Sequence, residues 1–126
     1  MDPYAIKSYR NKDIDYHTPV LIEWGLRTYR PPVFETNHPY LTSLNNSFAT
    51  KVSIFMQYST AEMLLDEQKA FCSQMEEIAG NCFERLEVAY APHNTFLAGQ
   101  ILRYEKEATD AARRANNFLD GQDTKA

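Results

Sequence analysis

The chain has 126 residues, the size of one domain, and 44% of them are hydrophobic, which is enough for a packed core and excludes a disordered chain. Its 13 basic and 17 acidic residues give a net charge of −4, which argues against binding to a nucleic-acid backbone. No apolar stretch approaches the roughly 18 residues of a membrane-spanning helix, and the N-terminus lacks the basic-then-apolar layout of a secretion signal. We therefore expect a cytoplasmic or virion protein that is not secreted and binds neither nucleic acid nor membrane.

Residues 1–38 are predicted to form an extended N-terminal arm. Five of the six prolines lie in residues 1–39, and proline disfavours helix at its own position and in the residue before it. Only residues 20–29 are compatible with a short strand or a helical turn. Aromatic side chains bury large areas, so this arm should lie either against its own helices or against a partner chain. The candidate partner-binding residues are its aromatic side chains and the next one along the chain: Tyr16, Trp24, Tyr29, Phe34 and Tyr40.

A helical domain is predicted over residues 39–121, and its first element is a helix over about residues 40–57. At 100° per residue, one arc of this segment collects the apolar side chains Leu41, Leu44, Phe48, Ala49, Val52, Phe55 and Met56. A strand is the alternative, because every second residue from Val52 to Tyr58 is apolar or aromatic and the polar and β-branched content is poor for helix. Of the two, the helix is favoured.

The next helix is predicted over about residues 60–90. Ser59 and Glu62 have the spacing of a capping box, in which each side chain bonds the backbone amide of the other residue. Positions on one helix face, all apolar except Gln68, then recur at intervals of three or four residues: Leu65, Gln68, Cys72, Met75, Ala79, Cys82, Leu86 and Ala89. This spacing is typical of a helix with one buried face.

The last helix is predicted over about residues 95–119, with a frayed C-terminus at 122–126. Its apolar positions keep the spacing of a coiled-coil seam: Leu97, Ile101, Tyr104, Ala108, Ala111, Ala115 and Phe118. Folding the chain about Pro92 sets large side chains opposite small ones, for example Met75 opposite Ala108. The fold predicted from the sequence is therefore mainly α: a long antiparallel helical hairpin, a shorter helix and the extended arm.

The sequence predicts no catalytic residue, no cofactor and no metal site. His17, His38 and His93 each lie beside a turn or a proline, and their spacing matches no zinc or di-iron motif. Cys72 and Cys82 would be about 15 Å apart on one helix, which is too far for a disulfide, so we expect buried free thiols.

The favoured function is that of a non-enzymatic structural protein, in which a helical scaffold uses its aromatic arm for contacts in a homo-oligomer or larger assembly such as a virion. One alternative is an acidic regulatory or inhibitory protein that binds a basic protein surface through the residues from Glu62 to Glu87. Binding of that kind would weaken with ionic strength, whereas burial of an apolar arm would not. A second alternative is a small-ligand binder or enzyme with its site between arm and hairpin.

Overall fold

The computed structural model describes residues 9–35 and 38–123, whose central element is a two-stranded parallel sheet. In chain order, the elements are α1 (Pro19–Tyr29), β1 (Ile54–Ser59), α2 (Leu65–Glu76), β2 (Phe83–Val88), α3 (Thr95–Ala98) and α4 (Glu105–Asp123). The strands pair along their whole length, from Ile54 beside Phe83 to Ser59 beside Val88. Helix α2 connects them, as a parallel pair requires a crossover.

Different helices cover the two faces of this sheet. Met56 and Tyr58 of β1 pack with α2, where Cys72 Sγ lies 3.5 Å from Met56 Sδ. Side chains alternate along a strand, so Phe55 points to the other face. There its ring centroid lies 5.7 Å from that of Phe118 on α4. The sheet therefore lies between α2 and α4.

Ion pairs of β2 follow the same alternation. Arg85 Nε lies 3.3 Å from Glu76 Oε1 on α2, whereas Glu84 Oε1 lies 2.8 Å from Arg114 Nε on α4. All four side chains are partly exposed, so we expect each pair to contribute at most about 1 kcal/mol to stability. The two ion pairs show which helix each strand residue faces: Arg85 faces α2 and Glu84 faces α4.

The predicted helical hairpin is wrong, beginning with the helix over residues 60–90. Only α2 is helical in that segment, and its end at Glu76 is followed by a turn and by β2. Gly80 lies in this turn with a φ of +92°, a left-handed conformation that glycine adopts at no steric cost. The seam pattern does identify the inward face of α2, since Leu65, Cys72 and Met75 are all buried.

The predicted helix over residues 95–119 is interrupted. The short helix α3 ends at Ala98, and the chain turns before α4 begins at Glu105. Gly99 lies in this turn against α4, and a Cβ built on it would be 2.6 Å from the Cβ of Ala108. Because α2 and α4 lie on opposite faces of the sheet, the predicted pairing of Met75 with Ala108 is wrong as well.

The predicted helix over residues 40–57 is also wrong, and the strand alternative is right for residues 54–59. Residues 41–50 form turns and irregular structure that side-chain amides hold in place. Asn81 Oδ1 accepts from the amide of Thr50 at 2.9 Å, and its Nδ2 donates to the carbonyl of Phe48 at 3.1 Å.

The N-terminal arm is not extended where the structure describes it. Residues 10–17 form turns, and α1 follows, with Thr18 Oγ1 accepting from the amide of Leu21 and Pro19 in the first turn. Pro19 suits this place because the first helical amide needs no partner within the helix. At the other end, α4 continues to Asp123. The predictions for residues 1–8, 36–37 and 124–126 lie outside the described residues.

The core is formed at the two faces of the sheet. Buried apolar residues are Tyr58, Met63, Leu65, Cys72, Met75, Val88, Ala91, Ala108, Ala111 and Phe118. None of the helices in the described ranges combines the length and the apolar character needed to cross a membrane. The fold has an α/β centre, which corrects the mainly α prediction.

Candidate functional site

The loops that follow β1 and β2 meet beyond the carboxyl ends of the two parallel strands. Glu62 lies three residues beyond β1, and His93 lies five residues beyond β2. His93 Nδ1 is 2.6 Å from Glu62 Oε2, so a carboxylate and an imidazole join the two loops. In open α/β sheets this edge is where ligands bind.

The Glu62 carboxylate is almost fully buried, with 3% of its side chain exposed. Oε1 accepts from the amide of Ser59 at 2.7 Å, and Oε2 accepts from Nε2 of Gln68 at 2.7 Å. The first of these bonds is one half of the predicted capping box. The Ser59 hydroxyl donates to the carbonyl of Ala91, and α2 begins only at Leu65, so the box closes a turn and does not start a helix.

Residues 9–17, which we call the docked segment, are attached to the loop after β1. Nδ2 of Asn11 donates to the carbonyl oxygens of Thr60 and Glu62, both at 2.8 Å. Asn11 is itself buried. Its amide thus satisfies backbone acceptors in the turn between β1 and α2, where the Glu62 carbonyl also accepts from the amide of Leu65.

Asp15, His17, Glu62 and His93 form what we call the histidine–carboxylate cluster. Asp15 has 2% of its side chain exposed, and its Oδ2 accepts from the amide of Met63 at 2.7 Å. The His17 ring meets the His93 ring edge-on, with the centroids 4.2 Å apart and the planes at 84°. Both imidazoles remain partly exposed. The cluster therefore combines two buried carboxylates with two imidazoles that water can reach.

The two histidines have pKa values displaced in opposite directions. The hydrogen bond to the Glu62 carboxylate raises the pKa of His93 above its ordinary value. Burial lowers the pKa of His17, and the neighbouring charge on His93 lowers it further. Burial alone would raise the pKa of Glu62, but hydrogen bonds from His93 and Gln68 outweigh it and lower that pKa.

Two adjacent imidazoles whose pKa values are displaced in opposite directions can donate and accept protons, as general acid–base pairs do. The carboxylate that holds His93 Nδ1 also fixes the orientation of the ring. Across residues 9–35 and 38–123, no three His, Cys, Asp or Glu side chains are grouped so that they could hold a metal ion. Proton uptake and release is the chemistry that these side chains offer.

The structure separates the aromatic residues that the sequence singled out. Tyr16 lies at the cluster, where its hydroxyl donates to the carbonyl of His93 at 3.0 Å. The ring of Phe34 stacks on His38 with centroids 4.2 Å apart, and the exposed ring of Tyr40 lies 5.4 Å from the same imidazole. Tyr29 is exposed at the end of α1. Between these three places the structure shows no ring contact in the described ranges.

Trp24 lies on what we call the outer face of α1, together with Val20 and Leu21. At 100° per residue, the three side chains fall within about 100° of arc, and their exposed fractions are 63%, 74% and 44% in that order. Ile22 and Leu26 lie on the opposite side of the helix and are half-buried. The helix is thus apolar on both sides.

Sequence reasoning missed every member of the cluster. It placed Glu62 in a helix cap and dismissed His17 and His93 because no two histidines share a helix face. A usable signal was present, since Glu62 and His93 each lie a few residues beyond a strand-length segment. Because residues 83–88 were assigned to a helix, no common sheet edge could be inferred.

A groove of about 410 Å³ lies between β2 and α4, away from the members of the cluster. Its lining is Glu84, Asp110, Arg113, Arg114, Asn117 and Phe118. The charges there already neutralise each other, because Arg114 pairs with Glu84 and Arg113 with Asp110. The groove therefore offers no unpaired charge among its lining residues.

No protein-family model, curated protein or solved structure matches this chain.

Proposed function

We propose that this chain is a non-enzymatic assembly protein that binds a protein partner through the outer face of α1. The observation that carries the proposal is the exposure of Trp24 between Val20 and Leu21. A surface helix normally turns polar residues to water. Tryptophan is among the residues that contribute most to binding energy at protein interfaces.

The border of the outer face has the polar character of an interface rim. Arg27 and Glu23 form an ion pair one turn apart along α1. On the helix they lie beside Val20 and Trp24, on the side away from Leu21. An apolar centre with a charged margin is the usual composition of a protein contact. The expected assembly is a homo-oligomer or a larger complex.

Trp24 provides the test, because it is the only tryptophan in the chain. If the partner is a second copy, the emission maximum should move to shorter wavelength as protein concentration rises, together with the mass from light scattering. If the partner is another protein, both changes should appear only when that protein is added. Neither should depend strongly on salt, since the contact is apolar.

Leu21→Asp and Val33→Asp form a matched pair of variants for this test. Both side chains are exposed, and Val33 lies outside the helix. Leu21→Asp should abolish the rise in mass or the capture of the partner, whereas Val33→Asp should retain it. Equal association in the two variants would refute the proposed contact surface.

A second candidate, a small-ligand site, is favoured by the position of the cluster between the docked segment and the carboxyl edge of the sheet. Its test is an NMR titration of the His17 and His93 ring protons with fractions of a small-molecule extract. Movement of both sets of resonances would support it. Resonances that no fraction moves would contradict it.

The acidic surface predicted from Glu62 to Glu87 does not exist as one helix face. Glu62 is buried, Glu76 pairs with Arg85, and Glu87 Oε2 lies 2.8 Å from Lys69 Nζ. These contacts divide the acidic residues between α2 and β2. No observation favours the regulatory alternative.

A further inference from the structure

We propose that the histidine–carboxylate cluster is a pH-sensitive clasp, which holds the docked segment against the sheet near neutral pH and loosens it toward both acid and alkaline pH. The proposal concerns attachment within the chain. It stands independently of which partner, if any, contacts α1.

The cluster is divided between two parts of the chain. The docked segment supplies Asp15 and His17, and the loops beyond the sheet supply Glu62 and His93. Besides the two bonds from Asn11, contacts across this boundary include the bond from the Met63 amide to Asp15, the edge-on contact of the two imidazole rings and the bond from Tyr16 to the His93 carbonyl. Any change of charge on either imidazole therefore acts across the boundary.

Near neutral pH the charges across this boundary are complementary. The carboxylates of Glu62 and Asp15 favour the charged form of His93, and its ring packs edge-on against His17, whose neutral form is favoured by burial. The charged groups that act on either imidazole are Asp15, Glu62 and the other histidine. Tyr16 also faces the cluster, but its pKa is raised by burial and by the two carboxylates, so it stays neutral in this range.

Toward acid pH the clasp should loosen through His17. Its pKa is lowered in the docked structure, so docking favours the neutral ring and the gain is lost as pH falls through that lowered pKa. Protonation then places two imidazolium rings with their centroids 4.2 Å apart. Repulsion between like charges and the cost of burying the new charge both oppose docking.

Toward alkaline pH the clasp should loosen through His93. Its pKa is raised mainly by the hydrogen bond to Glu62 on its own side of the boundary, and further by Asp15 of the docked segment. Docking therefore favours the charged ring through Asp15, and this gain is present below the ordinary value and is lost as pH rises through the raised pKa. Deprotonation removes the cation that Asp15 of the docked segment faces. It also leaves two buried carboxylates, Asp15 and Glu62, with no positive charge between them.

Hydrogen exchange of the full-length chain tests the clasp. The Met63 amide reports docking, because it donates to Asp15 of the docked segment. The Ile54 amide donates to the carbonyl of Cys82 at the opposite end of the strand pair and serves as an internal reference. We expect the protection of Met63 relative to Ile54 to be greatest near neutral pH and to fall on both sides, by up to about tenfold per pH unit where one proton is exchanged.

Two variants test which histidine causes the loss of Met63 protection on each side of neutral pH. In His17→Asn, protection should no longer fall toward acid pH but should still fall toward alkaline pH. In His93→Asn, the fall toward alkaline pH should be absent. His38→Asn is the matched control, since that imidazole contacts Phe34 and Tyr40 outside the cluster. It should leave the whole profile unchanged.

The proposal fails if the relative protection of Met63 in the unmodified protein is independent of pH. It also fails if this protection still falls toward both acid and alkaline pH in both variants. If His93→Asn does not fold, NMR titration of the His17 and His93 rings in the unmodified protein still tests the proposal. His93 should titrate above, and His17 below, the ordinary histidine value of 6.5. Equal values for the two rings would overturn the clasp.

Discussion

Nδ1 of His93 lies 2.6 Å from Oε2 of Glu62, and this contact joins two loops that are 31 positions apart in the sequence. The carboxylate is buried, so it needs partners for both oxygens, and it finds them in His93, Gln68 and the amide of Ser59. One acidic side chain thus ties the carboxyl ends of both strands together. The docked segment is attached to the same place.

Glu62→Gln should destabilise the fold by about 1–3 kcal/mol, because it removes a charge-assisted hydrogen bond inside the protein. The pKa of Glu62 is lowered by folding, so its stabilising contribution is present above its ordinary value of 4.5 and is lost as pH falls through the lowered one. Urea unfolding at a series of pH values measures this loss. The exposed Glu35→Gln is the control, and an equal loss in both variants would be incompatible with the pair.

Phe118→Ala should cost about 3–5 kcal/mol, since Phe118 is buried and packs against Phe55 of the sheet. The neighbouring Leu119 is 59% exposed, so Leu119→Ala should stay within about 0.5 kcal/mol of the unmodified protein. Thermal unfolding of the two variants compares adjacent positions on one helix. Similar losses would argue against the packing of α4 on the sheet.

Gly99→Ala should destabilise the protein by about 1–3 kcal/mol through overpacking. The added Cβ would lie 2.5 Å from the carbonyl oxygen of Thr95 and 2.6 Å from the Cβ of Ala108. Gly25 in α1 has open space around the same position. Gly25→Ala should therefore stabilise the protein by about 0.5–1 kcal/mol, as expected for a helical glycine. Differential scanning calorimetry measures whether each variant unfolds at a higher or a lower temperature than the unmodified protein. A stabilised Gly99→Ala would show that α3 and α4 are not in close contact.

Asn11→Ala should cost about 1–3 kcal/mol, because the carbonyl oxygen of Thr60 loses its side-chain donor and that of Glu62 loses one of two donors. Asn116→Ala removes an exposed side chain that bonds only Asp120 in the same helix, and its effect should stay within about 0.5 kcal/mol. Limited trypsin digestion adds a local measurement. Arg10 and Lys12 flank Asn11, so cleavage there should accelerate in the first variant, and unchanged cleavage would count against the docked segment.

In two places the apolar periodicity of the sequence predicted a helix and its buried face correctly. The apolar spacing around Cys72 and Met75 identified a helix and its buried face, and the spacing around Ala111 and Phe118 did the same for the last helix. The alternation ending at Tyr58 indicated the first strand, although the helix was favoured over it. These signals are visible because each helix buries only one side.

The second strand could not be recognised from its pattern. Phe83 faces α2, while Glu84 on the next pleat faces α4. A parallel strand covered on both sides loses the alternation that marks a half-exposed strand. Phe83 and Leu86 then have the spacing of a helix turn, which extended the predicted helix through Gly80. That glycine was the available stop signal.

By itself, the sequence determined which faces of α2 and α4 are buried, because that spacing depends on neighbours three or four residues away. It did not determine where the helices begin and end. Only the tertiary structure decided that α2 and α4 pack on opposite faces of a sheet and not against each other. It alone also brought His17 and Asp15 to Glu62 and His93, since the sequence separation between those pairs exceeds 40 positions. The parallel pairing of the strands brings Glu62 to His93, and the bonds of Asn11 and Asp15 hold the docked segment there. No local pattern specifies either set of contacts.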